Sequence, residues 1–250
     1  MIKIIAFSDP HGQLPLITEP FDLMLIGGDV CPAYNHYDEF QRNWLSTTFT
    51  KWVMSLPFAD KSSKVVFIGG NHDFYLNDEP NPNKGDYSSI YTDILKPCGG
   101  RLVYLEDDEY VFEKESSDGK IESLKIYGTP WCKIFGRWAF MREDEKLAQL
   151  YDNIPEGLDI LLTHDAPDIQ GHGKIILGPW AGENAGNKPL AGAIKKKEPK
   201  LVLYGHIHSS KHTLTKMYKK NTKLRCISIL DENYYPLYAP YVFEMEGHVS

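Results

Sequence analysis

No run of apolar residues in this chain approaches the ~20 needed to cross a bilayer as a helix, so no membrane span is expected. Cysteine is scarce: Cys31, Cys98, Cys132 and Cys226 are widely scattered and form no C-x-x-C pair. That spacing excludes a zinc ribbon and a thioredoxin-type motif, and it fits a reduced, cytoplasmic setting. An excess of basic residues is also missing, since the formal net charge is -7. General affinity for a nucleic-acid backbone needs a basic surface, so nucleic acid is not an expected partner. A small phosphate ester stays open, because divalent cations would invert the field of a site made of carboxylates and imidazoles. There is no internal repeat, low-complexity tract or domain linker, and a single domain over residues 1–250 is expected. The oligomeric state is left open.

What is present is a series of apolar strands with reactive exits. Ile2 to Phe7 reads as a first strand rather than a signal peptide, because polar and charged residues follow it instead of a small-residue cleavage site. It ends in Ser8-Asp9-Pro10-His11-Gly12. Asp9 and His11 are two apart, so in an extended segment they point the same way and can converge on one ion. Asp22 to Ile26 ends in Gly27-Gly28-Asp29, and Lys64 to Ile68 ends in Gly69-Gly70-Asn71-His72-Asp73. Asp159 to Thr163 ends in His164-Asp165, and Leu201 to Tyr204 ends in Gly205-His206-Ile207-His208.

Between these strands the pattern predicts helices. Phe40, Trp44, Leu45, Phe49, Trp52, Val53 and Leu56 recur at spacings of three and four, giving a helix over Tyr37–Leu56 whose aromatic residues are core packing. Asn77–Asp86 reads as a polar loop, followed by a short helix over Ser88–Leu95 with Ser88 as cap. Leu102–Leu105, Tyr110–Lys114 and Leu124–Tyr127 look like strands, the last two joined by the turn Ser116–Lys120. A helix carries Leu147, Leu150 and Tyr151. The glycine-dense stretch Gly171–Gly192 reads as a long functional loop, and a helix over Pro189–Lys197 closes it. Strands over Arg225–Leu230 and Tyr241–Met245 follow. Alternating strands and helices imply an α/β sheet whose ligands sit beyond the carboxyl ends of the strands.

A lone histidine is ordinarily a satisfied structural residue. Here four of nine histidines stand at strand exits with carboxylates, and His72 stands beside Asn71. The donors are oxygen and nitrogen with no thiolate, which suits manganese, iron, zinc or cobalt better than calcium. They are too many for one tetrahedral ion. Two ions a few ångströms apart could each hold a phosphate oxygen, acidify a shared water and stabilise the entering and leaving oxygens of an in-line displacement.

The ordered set Asp9-x-His11, Gly28-Asp29, Gly70-Asn71-His72-Asp73, His164 and Gly205-His206-x-His208 resembles the five signature motifs of the calcineurin-like metallophosphoesterase superfamily. The resemblance implies an α/β fold of four layers, an α/β/β/α sandwich of two mixed sheets with flanking helices. It implies one metal on Asp9, His11 and His208, another on Asn71, His164 and His206, and Asp29 as a bridge. Manganese is the ion expected in vitro, with iron, zinc, cobalt or nickel as alternatives. Hydroxide bridging the two metals would attack the phosphorus, His72 would be the general acid for the leaving oxygen, and Asp73 would orient its ring. Gly128-Thr129-Pro130-Trp131 and the loop after His164 are similar to the metallophosphoesterase-domain-containing subgroup, which includes cyclic-nucleotide phosphodiesterases. Val30-Cys31-Pro32 stands where Ser/Thr protein phosphatases carry an Asp-Arg-Gly extension, which argues against a dedicated protein phosphatase.

Tyr34, His36, Trp131, Arg137, Trp138 and Trp180 are the substrate-contact candidates, although for each taken singly packing is the stronger reading, and one or two of the six are expected to touch substrate. Cys31 is assigned to packing, and the lysines at 195–197 and 216–223 to solvated faces. The expected activity is hydrolysis of a small phosphodiester, such as a cyclic nucleotide or nucleotide derivative. Phosphomonoesterase or protein phosphatase is the alternative, with a nuclease or a non-catalytic metal-binding scaffold behind it.

Overall fold

The computed structural model describes residues 1–81, 88–116 and 118–249. Its strands in chain order are β1 (Ile2–Phe7), β2 (Leu23–Ile26), β3 (Lys64–Phe67), β4 (Leu102–Tyr104), β5 (Asp108–Glu115), β6 (Ile121–Thr129) and β7 (Cys132–Lys133). They continue as β8 (Met141–Arg142), β9 (Ile160–Thr163), β10 (Leu201–Tyr204), β11 (Thr215–Lys216), β12 (Lys223–Cys226), β13 (Tyr241–Met245) and β14 (His248–Val249). One sheet has the order β13-β1-β2-β3-β4, parallel except for β13. A second has the order β11-β12-β10-β9-β6-β14, with β5 also on β6 as an antiparallel hairpin.

The strands of both sheets are apolar on both faces, and each face has its own partner. Ile2, Ile4, Leu23, Leu25 and Val66 meet Phe112, Leu124, Ile126, Ile160 and Leu203 in a core between the sheets. On the outer face of the first sheet, Phe7, Met24, Ile26 and Phe67 pack against Leu45, Phe49 and Val53. Outside the second, Leu161, Val202 and Tyr204 lie with Leu147, Tyr151, Leu190 and Ile194. The result is the four-layer α/β/β/α sandwich expected. The distant β13 completes the first sheet by pairing Ile4 with Phe243.

Helix α1 (Asp38–Trp44) and α2 (Thr50–Met54) are one helical run interrupted by a π-turn over Leu45–Phe49. Leu45, Phe49 and Val53, four apart, all stay buried through this turn. Helix α3 (Phe74–Asp78) occupies the start of the expected polar loop, and residues 82–86 of that loop lie outside the described residues. Ser88 does not cap a helix: its Oγ donates to Pro80 O at 2.7 Å, and the chain that follows makes a π-turn over Tyr91–Leu95. Helices α4 (Asp144–Asp152) and α5 (Lys188–Lys197) flank the second sheet, and α5 is capped by the Asn187 side chain, which accepts from Leu190 N. The strand expected over Arg225–Leu230 is displaced: β12 ends at Cys226, and Ser228 forms a bridge to Ser8.

Candidate metal centre

The carboxyl ends of β1, β2, β3, β9 and β10 bring their exits together. Asp9, His11, Asp29 and His206 all have positive φ, at 55, 43, 51 and 67°. Left-handed backbone on a residue with a Cβ costs about 1–2 kcal/mol, and it turns each side chain back over its strand end. Asp9 and His11 therefore converge through a tight turn, not through the extended alternation expected from their spacing. The turn is tied to its neighbour by Asp9 N to Gly28 O, His11 N to Asp29 O and Gly12 N to Val30 O. Two glycines are sterically required. A Cβ on Gly70 would fall on Asp29 N and Oδ1, and one on Gly205 would fall on Ser8 Oγ and Asp9 Oδ2.

Ligating atoms of Asp9, His11 and His208 lie within 4.8 Å of one another, as do those of Asp9, Asp29 and His164. His11 Nε2 is 3.3 Å from His208 Nε2 and 3.5 Å from Asp29 Oδ2. His208 Nδ1 donates to Asp231 O at 2.8 Å, and His164 Nδ1 donates to Gly27 O at 2.8 Å. A carbonyl can only accept, so each bond fixes the tautomer and turns Nε2 inward. His164 Nε2 then sits 3.0 Å from Asn71 Oδ1 and 3.5 Å from Asp29 Oδ1. The Asp9 carboxylate accepts from His206 N at 3.0 and 3.1 Å and from Ser228 Oγ at 2.6 Å.

Electrostatics mark the same atoms. Burial would raise the Asp9 carboxyl, but the hydrogen bond and charge of His208 hold it well below the usual range. Asp29 is likewise held low against its burial, by His164 and His72. Burial would lower His164 and His208, yet Asp29 lifts the first to about 10 and Asp9 lifts the second to about 9. His11 is pushed down to about 3 by burial. Two buried carboxylates thus depend on positive charge between them, and a divalent cation would supply it in place of the protons on His164 and His208. The residues fit a metal centre in donor type, tautomer and charge.

His72 lies over this cluster, its backbone N–H donating to Asp29 Oδ1 at 2.7 Å. Asp73 does not orient the His72 ring. Its carboxylate accepts from Val30 N at 3.1 Å, Cys31 N at 2.8 Å and Gly70 N at 2.9 Å, so it clamps the loops after β2 and β3 to each other. The His72 ring is met instead by His36, whose Nε2 is 3.0 Å from His72 Nδ1. Gln41 of α1 fixes the same loop, donating to His72 O at 2.7 Å and accepting from Tyr75 N at 3.0 Å.

A cleft of about 290 Å³ opens above Asp29, Asn71, His72, His206 and His208, walled by Phe135, Trp138, Trp180, Tyr234 and Glu232. Trp138 packs on His72 with centroids 4.5 Å apart, and Phe135 on His206 at 5.1 Å. Trp180, 63% exposed, comes from the long glycine-dense loop. His36 lies behind His72 and outside the cleft lining, and the other three substrate-contact candidates lie elsewhere. Trp131 is buried, with Nε1 donating to Asp107 Oδ2 at 2.6 Å and Arg142 stacked on its ring. Tyr34 is exposed against Phe40, and Arg137 is exposed and outside the cleft lining. Sequence reasoning missed Phe135, Tyr234 and Glu232, because nothing in their local pattern distinguishes them from other loop residues. It also missed Cys132, whose Sγ lies within 4.8 Å of a nitrogen from each of His164 and His206. Burial pushes that thiol well above its ordinary value.

A sandwich whose strand exits carry clustered carboxylates and imidazoles under an open cleft is the architecture of a metal-dependent phosphoester hydrolase. The chain belongs to the calcineurin-like phosphoesterase family, whose model matches residues 2–210. It is similar to metallophosphoesterase domain-containing protein 1 of Homo sapiens, 25% identical over 97% of this chain and 71% of that protein. A UPF0046 protein of Caenorhabditis elegans is 27% identical over 99% of this chain and 61% of its own length. Among solved structures, phosphopantetheinyl hydrolase from Mycobacterium tuberculosis has a similar fold, with TM-score 0.53 at 15% identity over 93% of this chain and 90% of that one. No helix among the described residues is long and apolar enough to cross a membrane.

Proposed function

We propose that this chain is a dinuclear metal-dependent phosphodiesterase acting on a small diester with an aromatic or nucleoside substituent. The observation that carries this reading is the charge of the cleft: its walls are four aromatic rings and Glu232, and no lysine or arginine lines it among the described residues. A phosphomonoester is a dianion at neutral pH, and a site for it would be expected to add a guanidinium or ammonium to hold the extra charge. A diester carries one negative charge, which the metal centre alone can balance. The rings of Trp138 and Trp180 offer faces for a base, making a cyclic nucleotide or nucleotide derivative the preferred class. The net charge of -7 disfavours a nucleic-acid substrate.

Asp9, His11 and His208 would hold one ion and Asn71, His164 and His206 the other, with Asp29 shared. When bound, the ions supply the positive field for the phosphoryl oxygens and the acidified water that attacks phosphorus. Manganese is the working choice in vitro, and the whole chain acts as one catalytic unit in the cytoplasm. His72, whose Nδ1 faces His36, presents Nε2 as the atom that gives a proton to the leaving oxygen. Trp138 holds the His72 ring in place, and Asp29 positions its backbone.

The test compares hydrolysis of bis(p-nitrophenyl) phosphate and p-nitrophenyl phosphate with manganese present. A higher kcat/KM on the diester is expected, and a clear preference for the monoester would select the phosphomonoesterase reading. Cleavage of single- or double-stranded DNA under the same conditions would restore the nuclease, and no turnover on a broad ester panel the scaffold.

A further inference from the structure

One side of the proposed centre carries a soft donor that none of the five motifs contains. Cys132 opens β7, and its backbone is fixed on both sides: its own N–H donates to Phe140 O at 2.8 Å, and Lys133 N–H donates to Asp165 Oδ2 at 3.0 Å. The side chain is fully buried, and its one hydrogen-bond partner among the described residues is Pro130 O at 3.7 Å. Sγ and one nitrogen from each of His164 and His206 all lie within 4.8 Å of one another. No described group of three ligating residues includes Cys31, Cys98 or Cys226. His164 is oriented toward the group by its bond to Gly27 O, and neither ring nitrogen of His206 has a hydrogen-bond partner among the described residues.

We propose that Cys132 Sγ is a ligand of the ion held by His164 and His206, which makes that position thiophilic. The inference rests on the metal-centre reading above. When the ion binds, the Sγ–H bond breaks, the proton passes to solvent water, and a sulfur lone pair forms the bond to the ion; nothing is oxidised or reduced. A Cys-His-His set suits zinc, cobalt or iron(II), whereas manganese and magnesium favour oxygen donors. The two positions then differ in kind. Asp9, His11 and His208 offer hard oxygen and intermediate nitrogen, and the Cys132 side offers sulfur as well, so a mixed pair of metals is the expected native state.

The test is cobalt titration of the full chain followed by absorption spectroscopy. The wild type is expected to develop a sulfur-to-cobalt charge-transfer band in the near ultraviolet, saturating with one cobalt per chain. Cys132→Ser and Cys132→Ala should lose that band and keep the visible d–d bands, while Cys98→Ser keeps both. Groups that only support a ligand are worth about 10–100-fold in metal affinity, so loss of the sulfur should weaken zinc at its position by at least about tenfold. Circular dichroism of each variant separates ligand loss from unfolding. Cobalt bound by wild type without the charge-transfer band, or the band persisting in Cys132→Ser, overturns the sulfur ligand and leaves the metal centre standing. Failure of the wild type to take up cobalt overturns both.

Discussion

His36 Nε2 lies 3.0 Å from His72 Nδ1, placing a second imidazole behind the one that faces the cleft. Burial and the neighbouring His72 lower the pKa of His36, so it partners His72 as a neutral ring. His72→Ala is expected to lower kcat on the order of 10²–10⁴-fold, the usual contribution of a positioned general acid. His36→Ala removes only a positioning contact worth about 1 kcal/mol, and should lower kcat on the order of tenfold or less. Metal content should not change in either, and His36→Gln should recover part of the loss. Steady-state kinetics with metal analysis of each variant decides this.

Asp73 separates a structural role from a catalytic one. Its carboxylate is the acceptor for three buried backbone N–H groups, each costing about 1–3 kcal/mol if left unpaired. Asp73→Ala is expected to destabilise the fold by several kcal/mol in urea, and Asp73→Asn by less. A variant of unchanged stability whose kcat alone falls would return Asp73 to the task of orienting His72.

Gly70→Ala should abolish metal binding and also destabilise the fold, because the added Cβ would strike the backbone N and Oδ1 of Asp29 and come within 2.7 Å of His164 Cε1. Gly192→Ala provides the control. It meets nothing within 4 Å in α5, and it should be neutral or stabilising by up to about 1 kcal/mol. Calorimetric titration of both variants with manganese checks the contrast.

His172 sets a pH dependence outside the centre. It is buried, with Nδ1 2.6 Å from Tyr204 Oη and Nε2 against Thr215 Oγ1, and burial pushes it from 6.5 down to about 4. The unfolded chain therefore binds more protons between these values, so stability from this group is full above pH 6.5 and is lost as pH falls toward 4. The shift corresponds to a loss on the order of 3 kcal/mol across that window. His172→Gln should be less stable at pH 7.5 and should lose less on acidification. Urea unfolding of both proteins at pH 7.5 and 4.5 measures the difference.

The strand exits were legible because the chemistry of a metal donor set repeats: each motif follows an apolar strand, and the parallel order brings the same ends together. The layer order was implied by the same motifs, and the hydrophobic strands confirm it through the two cores they fill. Less legible were residues whose position depends on distant packing. Cys132 precedes a loop that folds back between Asn71 and Asp165, with Ala139 N bonded to Asn71 O, and no local pattern announces that return. His36 was visible as a substrate-contact candidate, but its contact with His72 depends on how the chain enters α1. Asp73 was misread because its neighbour in sequence is His72, whereas its partners in space are the backbone of Val30, Cys31 and Gly70. The π-turn over Leu45–Phe49 leaves no mark either, since the apolar spacing of three and four is preserved through it.

In the proposed centre two ions share Asp29. Equilibrium dialysis against manganese, with electron paramagnetic resonance of the saturated protein, counts the ions and reads whether they are coupled. Two manganese ions per wild-type chain with a spin-coupled signal, falling to one uncoupled ion in His208→Ala, are predicted. A wild-type chain that saturates with a single, uncoupled ion would contradict it.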